Sequence, residues 1–256
     1  MEYPEIDHLY KFYNFNTNAF STLINNTIWF SKPATLNDPF DIDIDLNHSM
    51  TSSDFNNMIQ SIEAQPSRSQ ERMDQLRQMK QFPPDQQALD KMTQVIKSKF
   101  REDRKDWGVF CLCESYKNIL MWSHYADRHK GFCVQFDRNE NNRLGDIEYT
   151  RPVSYSCKYP SPNIYSSEGE KKVYDELFFT KAKCWKYERE WRILNDKGDI
   201  ELPLIDFTTI SGIVFGLNMP PPQRETIRRI LSDQKEIVFG EMIKVPDKFE
   251  MEIVWL

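Results

Sequence analysis

The sequence predicts an α+β fold: a mixed or antiparallel central sheet with flanking helices and a helical insertion over about residues 51–105, within a single domain spanning 1–256. Short β-rich apolar runs recur along the whole chain. Helical patterns fall between them irregularly, without the strand–helix alternation or glycine-rich phosphate loop of a doubly wound sheet. The stretch from 51 to 105 differs from both, being rich in Gln, Met and Lys and poor in β-formers.

Residues 8–13, HLYKFY, read as a first strand. Residues 18–26 read as a short helix with Phe20, Leu23 and Ile24 on one side, and 27–31 as a second strand. Asn37-Asp38-Pro39 is a turn signal, because a residue before proline is pushed out of the helical region. The following Asp41-Ile42-Asp43-Ile44-Asp45 alternates with period two, so an extended strand would set three carboxylates on one exposed face. A calcium loop would need a glycine turn and a later bidentate glutamate, and both are missing. Two or three helices are expected over 51–105, interrupted at Pro66 and Pro83-Pro84. Their buried stripes are Met73, Leu76 and Met79, then Leu89, Met92, Val95 and Ile96.

The best-punctuated stretch is 107–136. Residues 107–113 form a β-rich apolar run, and Ser115 is placed as an N-cap. A helical pattern then runs from Tyr116 to about His129, with Ile119, Met121, Trp122, Tyr125 and Ala126 on its apolar side and Gly131 as the stop. Residues 132–136 read as the next strand. Ser123, His124, Tyr125 and His129 put hydroxyl, phenol and imidazole groups on the rim of this helix, which is therefore expected to wall any reactive centre.

After a polar loop at 139–146, residues 152–156 read as a short strand, and a helix from about 168 to 183 carries Val173, Leu177 and Phe178. In CWKYEREWRIL, read as a strand, Glu188, Glu190 and Arg192 share one face and Tyr187, Arg189, Trp191 and Ile193 the other. Two carboxylates so placed can hold a cation or act as an acid–base pair, or simply cross-pair with neighbouring strands. Residues 209–216 form a buried-type strand, Pro220–Pro222 lead into a helix at 223–231, and short β pieces follow at 236–239, 244–245 and 251–255.

The hydrophobic fraction of 39%, with 13% aromatic residues, fits a globular core rich in rings. No run is long and apolar enough to span a bilayer, and the N-terminus lacks a basic start and apolar core, so no membrane association is expected and the expected location is cytoplasmic. The five cysteines suggest packed thiols rather than a disulfide framework, and no metal site is expected. A net charge of −6 argues against a dedicated nucleic-acid binder. The charge is uneven: residues 33–67 hold six acids and no Lys or Arg, and 68–105 hold ten bases against six acids. The second region reads as a solvated helical hairpin or a surface for an acidic partner.

The blocks LYKF (9–12), TIWFSKPATLNDPFD (27–41), CLCES with NILMWSHYADRHKGFCVQF (111–136), KCWKYEREWRI (183–193) and ISGIVFG (210–216), in this order, resemble the bacterial domain of unknown function DUF2971. Cys113 stands where that family more usually has Ser, and 51–105 corresponds to a variable region. The resemblance brings no established activity. A second resemblance, to the ADP-ribosyltransferase layout, rests on an aromatic first strand, a strand ending in serine and a late Glu-x-Glu. It implies NAD as cofactor, with Tyr10 or Lys11 at the first position, Ser115 or Tyr125 at the second, and Glu190, preceded by Glu188, at the third. The departure is Tyr-Lys where His or Arg is expected.

Under that resemblance, Glu190 would stabilise the oxocarbenium-like charge of a breaking nicotinamide–ribose bond, His124 would move the proton, and Trp122, Tyr125 or Phe40 would stack on a ring. Asn37, Asp38 and Arg192 would supply polar ends to an aromatic pocket for a small-molecule nucleotide. The expectation is an intracellular bacterial effector or defence-type protein, performing NAD-dependent ADP-ribosyl transfer to a protein or nucleic-acid acceptor, or NAD cleavage. Two alternatives stay open: a phosphoesterase or nuclease built on His124, Asp38, Asp41 and Glu190, and a non-catalytic sensor or interaction module.

Overall fold

The computed structural model describes residues 1–43, 48–63, 70–163, 165 and 169–256. It is an α+β protein whose chain divides into two compact units: Met1–Thr35, Trp107–Val153 and Lys183–Leu256 form the first, Leu36–Asp106 and Ser154–Ala182 the second.

In the first unit, β1 (His8–Tyr13) is followed by α1 (Thr17–Asn25) and β2 (Thr27–Phe30). Asn16 caps α1 by accepting from Ala19 N, and Asn26, in the left-handed region, ends it. After the second unit's helices the chain returns with β3 (Gly108–Cys113), then β4 (Phe132–Asp137) and β5 (Thr150–Pro152). The last stretch adds β8 (Glu190–Asn195), β9 (Ile200–Pro203), β10 (Ile210–Phe215), α7 (Pro221–Ile230), β11 (Val238–Lys244) and β12 (Met251–Trp255). Eight of these strands make one mixed sheet in the order β12-β11-β10-β4-β1-β3-β8-β5, parallel between β10 and β11 and antiparallel elsewhere. β9, which has no sequence signal of its own, pairs with β2.

Strand alternation gives this sheet two different faces. Leu9, Phe110, Leu112, Phe132, Val134, Phe136, Trp191, Ile193, Ile213 and Phe215 pack on one face with Ala19 and Leu23 of α1, Phe30 of β2 and Ile227 of α7. Tyr10, Phe12, Cys113, Cys133, Val214, Met242 and Met251 pack on the other with Met121, Trp122 and Ala126. These last three come from α5 (Ile119–Tyr125), so the short central helix lies on the second face.

In the second unit, α2 (Ser52–Glu63), α3 (Gln70–Gln81) and α4 (Gln86–Arg104) enclose Met50, Phe55, Ile59, Leu76, Leu89 and Tyr165. β6 (Ser154–Ser156) and β7 (Thr180–Ala182) pair in parallel, with α6 (Gly169–Phe178) between them in sequence. The helical insertion is thus part of a larger unit that also takes in 154–182.

Several expectations are corrected. Of the Met, Leu and Val stripes, Met79 and Val95 are exposed, because each side of the helices that faces water carries them along with charged residues. The strand at 152–156 is two strands, broken at Val153 and paired in different sheets. The pieces at 236–239 and 244–245 overlap the two ends of one strand, β11. Asp41 and Ile42 lie in a turn, with Ile42 at φ 50°, so no alternating strand begins there. Asp38 sets that turn by accepting from Phe40 N at 2.9 Å. Ile44, Asp45, Pro66 and Glu168 lie outside the described residues.

Candidate functional site

The site is built from α5 and the segment leading into β8. α5 is shorter than its apolar pattern suggests, because Asn118 rather than Ser115 caps it: Asn118 Oδ1 accepts from Leu120 N at 2.8 Å and from Met121 N at 3.4 Å. Ser115 Oγ instead accepts from Lys117 N in the preceding turn. At the other end Asp127, Arg128 and His129 all have positive φ, which closes the helix before His129. Gly131 does not supply the stop, since no glycine has positive φ; a Cβ on it would meet Tyr13 O at 2.0 Å, so its role is close packing.

Trp122 anchors the helix. It is fully buried, donates from Nε1 to Tyr116 O at 2.6 Å, meets Phe12 edge-on at 5.0 Å and stacks on His129 at 6.3 Å. It is therefore core, not an exposed platform for a ligand ring. Ser123 Oγ and His129 Nε2 are 3.2 Å apart, and burial lowers the His129 pKa from its ordinary value, with Lys244 adding to the effect.

The segment at 183–188 is a 3₁₀ turn, not the expected strand, and β8 begins only at Glu190. The break is Arg189, at φ 45°, whose N–H donates to Lys186 O and whose carbonyl accepts from Glu114 N. The Arg189 guanidinium pairs with the Glu114 carboxylate, and Glu114 also accepts from Trp191 Nε1 at 2.9 Å. Glu114, Tyr187 and Asn118 were not singled out by sequence reasoning. A glutamate directly after the β3 run and an asparagine before the helix were the available signals.

This kink sets Glu188 apart from the regular strand and leaves Glu190 and Arg192 on it. Glu188 Oε1 accepts from the Tyr125 hydroxyl at 2.6 Å, and Glu188 is buried. Asn118 Nδ2 donates to Tyr187 O at 2.9 Å, so the residue that starts α5 also fastens the turn carrying Glu188. Outward from this point runs a chain of rings: Tyr125 and His124 are 6.2 Å apart, His124 and Tyr187 6.4 Å, Tyr187 and Trp185 6.0 Å. His124 is exposed and the other three half-buried. An aromatic rim thus descends to a buried carboxylate.

On β8, Arg192 donates from Nε to Glu190 Oε1 at 2.7 Å and from Nη2 to Oε2 at 3.1 Å, with the arginine side chain fully buried. This two-point contact fixes the Glu190 carboxylate as a charged, oriented group. Across the second face, Glu190 lies opposite Cys113, and Cys113 opposite Tyr10. Burial pushes the Cys113 thiol up to about 12, the Ser115 carbonyl opposing and Glu188 reinforcing the shift, so it packs here as an inert thiol. All five cysteines are free.

Tyr10 and Lys11 point to opposite faces. Tyr10 shares the face of Glu190, with burial raising its pKa above the ordinary tyrosine value and Tyr116 edge-on at 5.3 Å. The Lys11 ammonium instead donates to Cys111 O at 2.9 Å and lies 4.4 Å over the Phe110 ring. Burial lowers its pKa, opposed by Cys111 and Glu190. With the folded-state pKa depressed, the cost of the partly buried charge is fully present below the folded pKa and fades as pH rises from there towards the ordinary lysine value. Lys11→Met is therefore expected to raise the melting temperature by about 2–4 °C at pH 7, and by less in alkaline buffer. A lowered melting temperature in calorimetry would show instead that the ammonium contributes stability.

Asn37, Asp38 and Phe40 belong to the second unit. Phe40 is 67% exposed and meets Tyr159 edge-on at 6.2 Å. In the same unit Asp41 pairs with Lys181 at 3.4 Å, both side chains buried. The set His124, Asp38, Asp41 and Glu190 is thus divided between the units. Among the described residues, no group of three or more His, Cys, Asp or Glu is placed to hold a metal ion. No helix among them is long and apolar enough to cross a membrane.

Residues 121–193 match the family described as "Protein of unknown function (DUF2971)". The matched segment runs from α5 into β8 and so contains Trp122, His124, Tyr125, Glu188, Glu190 and Arg192. No curated protein and no solved structure matches the chain.

Proposed function

We propose that this DUF2971-like chain binds a nucleotide on the rim of α5 and acts at its glycosidic bond, with NAD as the ligand. The observation that carries the reading is the Tyr125–Glu188 hydrogen bond at the buried end of the ring chain Trp185, Tyr187, His124 and Tyr125. Half-buried rings offer flat surface to a base, and a carboxylate below them can accept from ribose hydroxyls.

In that chemistry the bond between ribose C1′ and the nicotinamide nitrogen breaks, and nicotinamide leaves with the bonding pair. Positive charge then builds on the ribose, and a carboxylate held in place stabilises it. Glu188 is the carboxylate next to the rings, and the neighbouring Glu190–Arg192 pair supplies a fixed, oriented dipole at the start of β8. The attacking water or acceptor nucleophile forms the new bond to C1′ and loses its proton, and in this reading exposed His124 takes it.

Calorimetric titration with NAD tests binding apart from chemistry. Saturable heat is expected, and Tyr187→Ala should weaken it about tenfold, the scale of one lost stacking contact. No binding by the folded protein, or binding indifferent to Tyr187, contradicts the reading.

A further inference from the structure

We infer that β12 is a self-association edge, on which a second copy of this chain pairs its own β12 and continues the sheet across a two-fold axis. β12 is a terminal strand of the eight-stranded sheet, paired with β11 on one side. That pairing runs unbroken from Gly240↔Trp255 to Lys244↔Met251. Leu256 N–H donates to Phe239 O, and Val245 N–H to Glu250 O. By the alternation of an antiparallel ladder, even-numbered residues turn their peptide groups to β11, and Met251, Ile253 and Trp255 turn theirs outward.

Proteins commonly guard such an edge with charged side chains, proline, a bulge or a very short strand. The five-residue strand Met-Glu-Ile-Val-Trp has no lysine, proline or bulge, and its one charged residue, Glu252, turns its peptide group toward β11. Its side chains do not shield the edge either: a Cβ on Gly240 would meet Ile253 Cδ1 at 2.7 Å and Trp255 Cε3 at 2.9 Å, so both lean back over β11. Val254 is 43% and Trp255 46% exposed.

Self-complementarity identifies the occupant. Antiparallel pairing centred on Ile253 joins the outward groups of one copy to those of the other. It sets Met251 beside the partner's Trp255, an apolar row on the second face, and Glu252 beside the partner's Val254 on the first. The adjacent register, centred on Glu252, would oppose two carboxylates directly and is disfavoured. The register centred on Val254 would oppose no charges but leaves Met251 outside the strand overlap, so the Ile253 register, which pairs all of Met251–Trp255, is the fullest isologous match, a reciprocity that an unrelated peptide strand would not share.

Sedimentation velocity of the full chain over a wide concentration range tests this. A reversible monomer–dimer equilibrium is expected. Val254→Asp, which opposes Glu252 twice across the two-fold axis, should weaken the dimer about tenfold, and Val254→Lys should tighten it by a similar factor, both effects shrinking in high salt. Val254 is exposed but lies opposite Glu241 of β11 in its own chain, so the melting temperature of each variant is read beside sedimentation to separate a change within the sheet from one across the two-fold axis. A monomer at every concentration overturns the inference, and so does a dimer that ignores both charges.

Discussion

Arg192→Met is expected to cost about 3–5 kcal/mol of folding stability. The guanidinium is fully buried and holds both oxygens of Glu190, which is itself buried on β8. Removing it leaves a carboxylate in the interior without the two-point contact that compensates its desolvation. The double variant Glu190→Gln with Arg192→Met removes the carboxylate charge as well, and should recover most of the loss, because a neutral pair of similar volume carries no comparable desolvation penalty. Urea denaturation of the single and double variants reads both effects. A single-variant loss below about 1 kcal/mol, or a double variant no better than the single, would show that the pair is not the main electrostatic bond on this face.

Tyr125→Phe removes one oxygen and should reduce glycosidic turnover by about 10²–10³ if Glu188 is the reacting carboxylate. The phenol fixes Glu188 Oε1 at 2.6 Å and, with Asn118, ties α5 to the turn before β8. Loss of that charge-assisted hydrogen bond also carries a stability cost of about 1.5–3 kcal/mol. The two consequences separate by experiment: a structural role alone lowers the melting temperature but leaves turnover of the folded fraction unchanged. Ser123→Ala, which alters the opposite side of the helix near His129, serves as the comparison.

The sheet was largely legible because each of β3, β4 and β10 carries an apolar run long enough to be buried on both faces, and β1 is rich in rings. What escaped was decided by tertiary contact. Local pattern carries the helix to His129, yet Asn118, needed to hold Tyr187 O, starts it late, and three residues at positive φ end it early. Residues 183–188 alternate like a strand, but Glu114 captures Arg189 and kinks the chain. β9 is short and lacks an apolar period, so only its pairing with β2 reveals it. Within the candidate site, Glu188, Glu190, Arg192 and Tyr125 stand out by residue type, but the resemblance put Glu190 in the leading role, and alternation along a strand set Glu188 beside it on one face. That Glu188 leaves the strand to meet Tyr125 while Glu190 pairs with Arg192 was set by tertiary contact. Trp122 reads from the sequence as a ligand platform, but it holds the core, and the solvent-accessible ring system is formed by exposed His124 with half-buried Tyr187 and Trp185.

The most direct test of the central claim is to incubate the purified protein with NAD, alone and with cell lysate as a source of acceptors, and to follow free nicotinamide by chromatography. Glu188→Gln and Glu190→Gln proteins of verified fold are run beside it. Nicotinamide release by the unaltered chain, lost in Glu188→Gln and reduced in Glu190→Gln, is the predicted result. No release and no labelling of any acceptor by the folded protein would contradict the glycosidic reading, and release unaffected by Glu188→Gln would remove that carboxylate from the reaction.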